Sequence, residues 1–504
     1  MALLERPPVV GTDSEALFKE ARRRRRRRWL VGSCVALVAA SIAATVGLVA
    51  KGPGQPTQPA RPKTPTVTAT QRPLVNLRSF DNQGRLAFVS RSSLWILDGD
   101  AHTLRQVPLP KGLVPLAPTF SPDGRWLAFV TGSTPLMRGS LWMARSNGTG
   151  AHRVAGLVLG DAFGWSTRSD LYAVATGPLS TRAPFGQPTT VRLVSPSGSA
   201  RTVATAPAIV GAAWSPDGSS LAVSTLDHKF VPSLDSYSVA RGTRTAWPGA
   251  PDARGAFVIP TGWWNEWGVV YTVIDNGAVP DGEGSFEDAA LYSLASPGAT
   301  PRYLGETLTN DSDGPASVSS TGLLTFVSDA GRDPRTPWNG KQVQVCSPAS
   351  VSCSAVPTPT GDVTEDPVWS PSGSILAYVA APSMTTDEFL PSEVSSWYNA
   401  HALELYDPTT HSASQVGGAP GGTVPVWSSN GHSLLYVADN GLWLSPSTAP
   451  QPVEILSPLF GPTHGPLAGA TSFPSYYGET DWSQQFSWSH GAPVTQCYVA
   501  CDAT

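Results

Sequence analysis

The chain has 504 residues, of which 14% are charged, with 48 glycines, 48 prolines and 17 tryptophans. So few charges among so many turn formers and aromatics exclude a mainly helical protein, and glycine without a three-residue period excludes a collagen. The net charge of −4 hides a split: residues 1–51 hold 10 Lys/Arg and 4 Asp/Glu, leaving 24 and 34 in residues 52–504, a balance of −10 that excludes nucleic-acid binding by the main domain.

In chain order, residues 1–28 form a short basic tail in which 14–20 (S-E-A-L-F-K-E) start a short helix and 22–28 are seven consecutive arginines. A tail of this size is too small for a folded signalling domain. Residues 29–50 carry no charge. As a helix they span roughly 30 Å, enough to cross a bilayer. The arginines resist translocation, so the pattern predicts a single-pass signal anchor in the cell membrane, with the N-terminus cytoplasmic and the rest outside. Two alternatives stay open. A cleavable signal peptide has a shorter apolar stretch than this one. A lipoprotein would use Val31-Gly32-Ser33-Cys34, which resembles a lipobox, but almost no apolar segment precedes it. Residues 51–73 are a Pro/Thr-rich linker. In extended polyproline form such a stalk reaches up to about 60 Å.

Residues 74–504 carry one recurring phrase. Its clear copies are 120–130 (F-S-P-D-G-R-W-L-A-F-V), 214–223 (W-S-P-D-G-S-S-L-A-V), 369–379 (W-S-P-S-G-S-I-L-A-Y-V) and 427–437 (W-S-S-N-G-H-S-L-L-Y-V). Weaker copies begin at Phe80, Trp165, Trp264 and Val318. The turn position falls at Gly84, Gly124, Ser169, Gly218, Gly268, Gly322, Gly373 and Gly431, with intervals from 40 to 58 residues. Proline presets φ, Asp or Asn tolerates the bend, Gly takes positive φ, and the alternating apolar residues that follow form a buried strand. Further strands are expected at 93–97, 140–144, 290–294 and 403–406. A four-stranded unit of this kind cannot bury both faces alone, whereas a closed ring of them can. The prediction is an all-β propeller of seven or eight four-stranded blades, eight being preferred. Residues 476–490 would close the ring by completing the first blade.

The phrase W-S-P-D-G-x-x-L-A-F-V resembles the repeat of TolB-like, WD-related propellers of bacterial envelope proteins, over about residues 74–450. The resemblance implies a propeller in an envelope setting and no particular activity. The chain departs from TolB itself in having no room for an N-terminal α/β domain and in its anchor.

Cys346 and Cys353 flank S-P-A-S-V-S, a hairpin turn across which a disulfide fits, and Cys497 and Cys501 offer a second. Free thiols are the alternative, while zinc lacks paired histidines. No nucleophile elbow, metalloprotease, Walker or dinucleotide motif appears, so neither an enzyme nor a cofactor or metal is expected. The segment 310–314 (N-D-S-D-G) lacks the first acid and last glutamate of a calcium loop and reads as a polar turn.

Insertions at 181–188, 226–235, 275–288 and 381–399 are placed between second and third strands, all at one mouth of the wheel. They carry Asp281, Glu283, Glu287 and Asp288, then Asp387, Glu388, Phe389, Glu393, Trp397 and Tyr398. Acids interleaved with aromatics suit a peptide, cationic or carbohydrate ligand, against the alternative of solvated loops with incidental aromatics. The expected function is binding or scaffolding of an envelope protein or cell-wall polymer. The alternative is a glycoside hydrolase or lyase using channel-lining carboxylates.

Overall fold

The computed structural model describes residues 72–132, 139–177, 188–250, 256–264, 267–275, 289–307, 316–328, 340–349, 352–358, 362–383, 396–418, 421–438, 441–446, 451–457, 459 and 485–489. The predicted anchor, the linker up to residue 71, and Cys497 and Cys501 lie outside them. Among the described residues no helix is long and apolar enough to cross a membrane.

Each sequence phrase folds into the hairpin between the two inner strands of a four-stranded antiparallel sheet, and eight such sheets form the propeller. The turn chemistry is local. In blade 4 the Ser215 hydroxyl donates to Asp217 Oδ1 (2.6 Å) and accepts from Ser220 N (2.9 Å), while Asp217 Oδ1 also accepts from Ser219 N (3.0 Å). Ser121 with Asp123 and Ser428 with Asn430 repeat the pattern. Gly218 takes φ +63°, and a Cβ there would stand 2.7 Å from Ser166 Oγ in the turn of the preceding blade. Consecutive turns therefore nest, and glycine is required by proximity as well as by φ. Blade 3, with Ser169 at this place, manages without a left-handed glycine in its turn.

Blade 1 is 85–106 with Phe486–Ser489 as its innermost strand. The strand His152–Trp165 serves two sheets: its first half is the outer strand of blade 2, and its second half is the inner strand of blade 3. Blades 4 to 7 occupy 208–246, 256–307, 317–355 and 362–415, and blade 8 is 423–457. The count is eight, as preferred from the spacing.

Closure is double. The expected C-terminal strand pairs with Arg85–Ser90, Phe88 opposite Phe486. A second lock was not foreseen: Leu74–Val75 adds to Val453–Ser457 as a fifth strand on blade 8. Both ends of the described chain thus tie blades 8 and 1 together.

Except in blade 7, where Trp369 Nε1 has no hydrogen-bond partner among the described residues, the tryptophan of the phrase staples its blade to the preceding one. Its indole donates to an inner-strand carbonyl: Trp165 to Thr119 (3.1 Å), Trp214 to Gly164 (3.2 Å) and Trp427 to Val368 (3.2 Å). In blade 5 the staple is Trp263, to Ala213 O at 3.2 Å, so the phrase sits one residue earlier than Trp264. Trp264 instead donates forward to Gly322 O at 2.8 Å in blade 6. Second strands are sandwiched between blades, and Phe88, Phe129, Phe326, Tyr378 and Tyr436 are all buried there. A fully buried side chain of this size contributes roughly 2–3 kcal/mol.

Cys346 and Cys353 face each other across the last two strands of blade 6 and form the predicted disulfide. One predicted insertion is corrected. Leu226 ends one strand and Pro232–Ser238 is the next, so 226–235 contains only a five-residue turn, 227–231, organised by Asp227 Oδ1 accepting from Lys229 N (2.7 Å) and Val231 N (2.9 Å).

Candidate functional site

Strand alternation places the first-to-second and third-to-fourth turns on one face of the wheel, here the turn face. Second-to-third connections and blade-to-blade crossings emerge on the other, the loop face. On the loop face the connection is only Arg91 and Ser92 in blade 1 and residues 439–440 in blade 8. It extends to 177–188 in blade 3, where most of the predicted insertion 181–188 lies outside the described residues, to 276–288 in blade 5, 329–341 in blade 6 and 383–401 in blade 7. The blade 6 insertion was missed from sequence because its phrase is degenerate. Asp281, Glu283, Glu287, Asp288, Asp387, Glu388, Phe389 and Glu393 belong to these connections and lie outside the described residues.

Trp397 and Tyr398 are described. Both sit on a short helical turn at 396–399. Trp397 is 4% exposed, its indole donates to Pro382 O at 2.7 Å, and it packs with Val363 and Ala381. It is part of a small buried cluster with these two residues. Tyr398 is half-buried against it.

Beneath these residues lies a polar cluster joining blades 6, 7 and 8. Lys341 Nζ donates to Glu365 Oε2 at 3.1 Å, with side chains 0% and 1% exposed. Thr364 backs the pair: its N donates to Lys341 O (3.1 Å) and its hydroxyl accepts from Val343 N (2.8 Å). Asp366 Oδ2 accepts from Thr423 Oγ1 (2.6 Å) and Val424 N (2.9 Å), tying blade 7 to blade 8. His401 is 3% exposed, and its ring meets Trp397 edge to face with centroids 4.2 Å apart. Among the described residues neither ring nitrogen has a hydrogen-bond partner. Burial pushes its pKa down to about 4; the charge on Glu365 opposes this and that on Lys341 adds to it. The imidazole is therefore neutral at physiological pH.

The inner strands bulge at this level. Ala117, Asp366 and Val424 have φ of 47°, 51° and 48°, each immediately before a proline, and the pairing shifts register beside each one. A proline is tolerated because the inner strand has a free edge on the channel. The bulge turns Asp366 toward the next blade, where its carboxylate receives Val424 N.

Chemically, Glu365 and Asp366 are the adjacent acids of the blade 7 inner strand, and both are engaged in interblade contacts. Among the described residues no group of three or more His, Cys, Asp or Glu side chains converges as a metal site would require. The arrangement joins blades 6, 7 and 8 through buried hydrogen bonds.

No family model and no curated protein matches the chain. In the comparison with solved structures it is similar to TolB from Acinetobacter baumannii, at 15% identity over 66% of this chain and 79% of that one, with a TM-score of 0.33. It is also similar to the β-propeller domain of the Trilobed protease from Pyrococcus furiosus, at 8% identity over 69% and 96% and a TM-score of 0.40. Porphyromonas gingivalis dipeptidyl peptidase 4 matches at 10% identity over 76% and 62%, with a TM-score of 0.48. These are likenesses of fold alone, and the chain is an eight-bladed β-propeller whose repeated phrase resembles that of TolB-like propellers.

Proposed function

We propose that the chain is an extracytoplasmic binding or scaffolding module, anchored in the cell membrane by residues 29–50, that engages an envelope protein or cell-wall polymer through the loop face of blades 5 to 7. The observation that carries this reading is the asymmetry between the faces. Short connections in blades 8 and 1 give way to long ones in blades 3, 5, 6 and 7, and the strands flanking those of blades 6 and 7 are joined by the Lys341–Glu365–Asp366 cluster. Long insertions on one side of a rigid scaffold are where binding residues concentrate. The sequence of these insertions supplies acids and aromatics suited to a peptide or saccharide.

The reading is tested by crosslinking on intact membranes followed by purification of the chain. Deleting 384–395 is the informative variant, because it spares Ala381 and Trp397, which are core residues. One stoichiometric partner recovered with the full chain and lost with the deletion is expected. Saccharide turnover by the purified protein, abolished by a single Asp or Glu substitution, would replace this reading with a carbohydrate-active enzyme.

A further inference from the structure

The turn face carries one feature the repeat does not require. Between blades 1 and 2, the start of Arg85–Ser90 and the two turns of blade 2 enclose a cleft of about 420 Å³. Three guanidinium groups, Arg85, Arg125 and Arg145, and a single carboxylate, Asp123, line it. This concentrates positive charge in a region whose formal balance is −10.

The three arginines differ in how they are held. Arg85 is fixed from behind, its Nε donating to Asp98 Oδ2 at 2.7 Å and its Nη1 to Ser146 Oγ at 3.2 Å. Arg125 is spent on Asp123 and on Asp170 Oδ2 (2.8 Å) of blade 3. Arg145 is exposed and has no carboxylate partner among the described residues. It lies over the ring of Trp126, its cross-strand neighbour, with its guanidinium carbon 5.2 Å from the ring centre. This cation–π contact restrains the side chain while its N–H donors have no carboxylate partner among the described residues. Asn147, in the same turn, uses its side-chain oxygen on Thr149 N (3.1 Å) and Oγ1 (2.7 Å), so its amide nitrogen is a further donor at the cleft.

The turn itself does not need this arginine. The residue opposite the first residue of the second strand is Arg145 in blade 2, but Ser238 in blade 4 and Pro446 in blade 8. We propose that the cleft binds a small ligand through an oxyanion group, carboxylate or phosphate, gripped by Arg145 beside the fixed Arg85. A guanidinium fork matches either group with two parallel hydrogen bonds, and the volume suits a molecule of sugar or amino-acid size.

The test is calorimetric titration of the full-length protein in detergent with inorganic phosphate and, separately, with succinate. Saturable one-to-one binding of either anion is expected, weakened at least tenfold by Arg145→Gln, which removes the fork. Arg302→Gln serves as control, because Arg302 also stacks on an indole, Trp267 at 4.7 Å, outside this cleft. Its variant should bind as the parent does. Binding of phosphate alone assigns a phosphoryl ligand, and binding of succinate alone assigns a carboxylate. Binding of neither anion at millimolar concentration, or equal binding by Arg145→Gln and parent with unchanged melting temperatures, overturns the proposal.

Discussion

The two faces of the propeller are built on different principles. On the turn face the same short-range hydrogen bonds recur: Ser121 with Asp123, Ser215 with Asp217, and Ser428 with Asn430, each spanning two residues. On the loop face the joints are single and long-range. Lys341 reaches Glu365 across 24 positions, and Asp366 reaches Thr423 across 57. Redundant local turns tolerate loss of one copy, whereas a unique buried joint between blades does not. The turn face therefore specifies the wheel, and the loop face specifies which wheel it is.

The largest effect is expected at the unique joint. Lys341→Met leaves Glu365 buried beside an apolar group and should destabilise by about 3–5 kcal/mol, read as a lowered midpoint in urea. Combining it with Glu365→Leu should recover most of that loss, since no unpaired charge remains. A single-variant loss below about 1 kcal/mol would make the pair equivalent to an exposed one and break the contrast.

Acid should act on the same face. His401 has a folded pKa of about 4 against an ordinary 6.5, so the unfolded chain takes up a proton that the folded chain refuses. This contribution is intact above pH 6.5, declines as pH falls toward 4, and is flat below, for a total of roughly 3 kcal/mol. Melting temperature measured against pH should lose that slope in His401→Leu.

Turn-face lesions should be smaller and interchangeable. Gly218→Ala and Gly373→Ala both force a Cβ against the preceding turn, at 2.7 Å from Ser166 Oγ and 2.6 Å from Ser320 Oγ. Each should cost about 2 kcal/mol, with similar values at the two sites. Asp217→Ala removes two local hydrogen bonds while Ser215 keeps its bond to Ser220 N, and should cost about 1 kcal/mol. Unequal losses at Gly218 and Gly373 would show that the copies are not equivalent.

This division also explains what could be read from the sequence. The turns are encoded within six residues, so Gly84 through Gly431 marked the blades, and the third strands fell where 93–97, 140–144, 290–294 and 403–406 were expected. The Cys346–Cys353 pair was equally local. Leu74–Val75 escaped notice because two residues carry no periodicity, and their partner Val453–Ser457 is at the other end of the chain. Lys341, Glu365 and His401 were invisible for the same reason: each is an ordinary polar residue until three blades meet. One signal was available. Ala117-Pro118, Asp366-Pro367 and Val424-Pro425 all stand three residues before the Phe or Trp of the phrase, and they mark the inner-strand bulge. The burial of Trp397 was not legible, because an aromatic in an insertion looks the same from sequence whether it is exposed or packed in the core.

The central claim, that the macromolecular partner docks on the loop face and not on the turn face, is tested most directly by photo-crosslinking at two positions in intact membranes. A photoreactive residue at position 387 lies in the blade 7 insertion, and one at position 197 lies in an exposed turn of blade 3 on the turn face. A discrete adduct from position 387 and none from position 197 is the predicted result. An adduct of equal yield from position 197, or from position 197 alone, would contradict it.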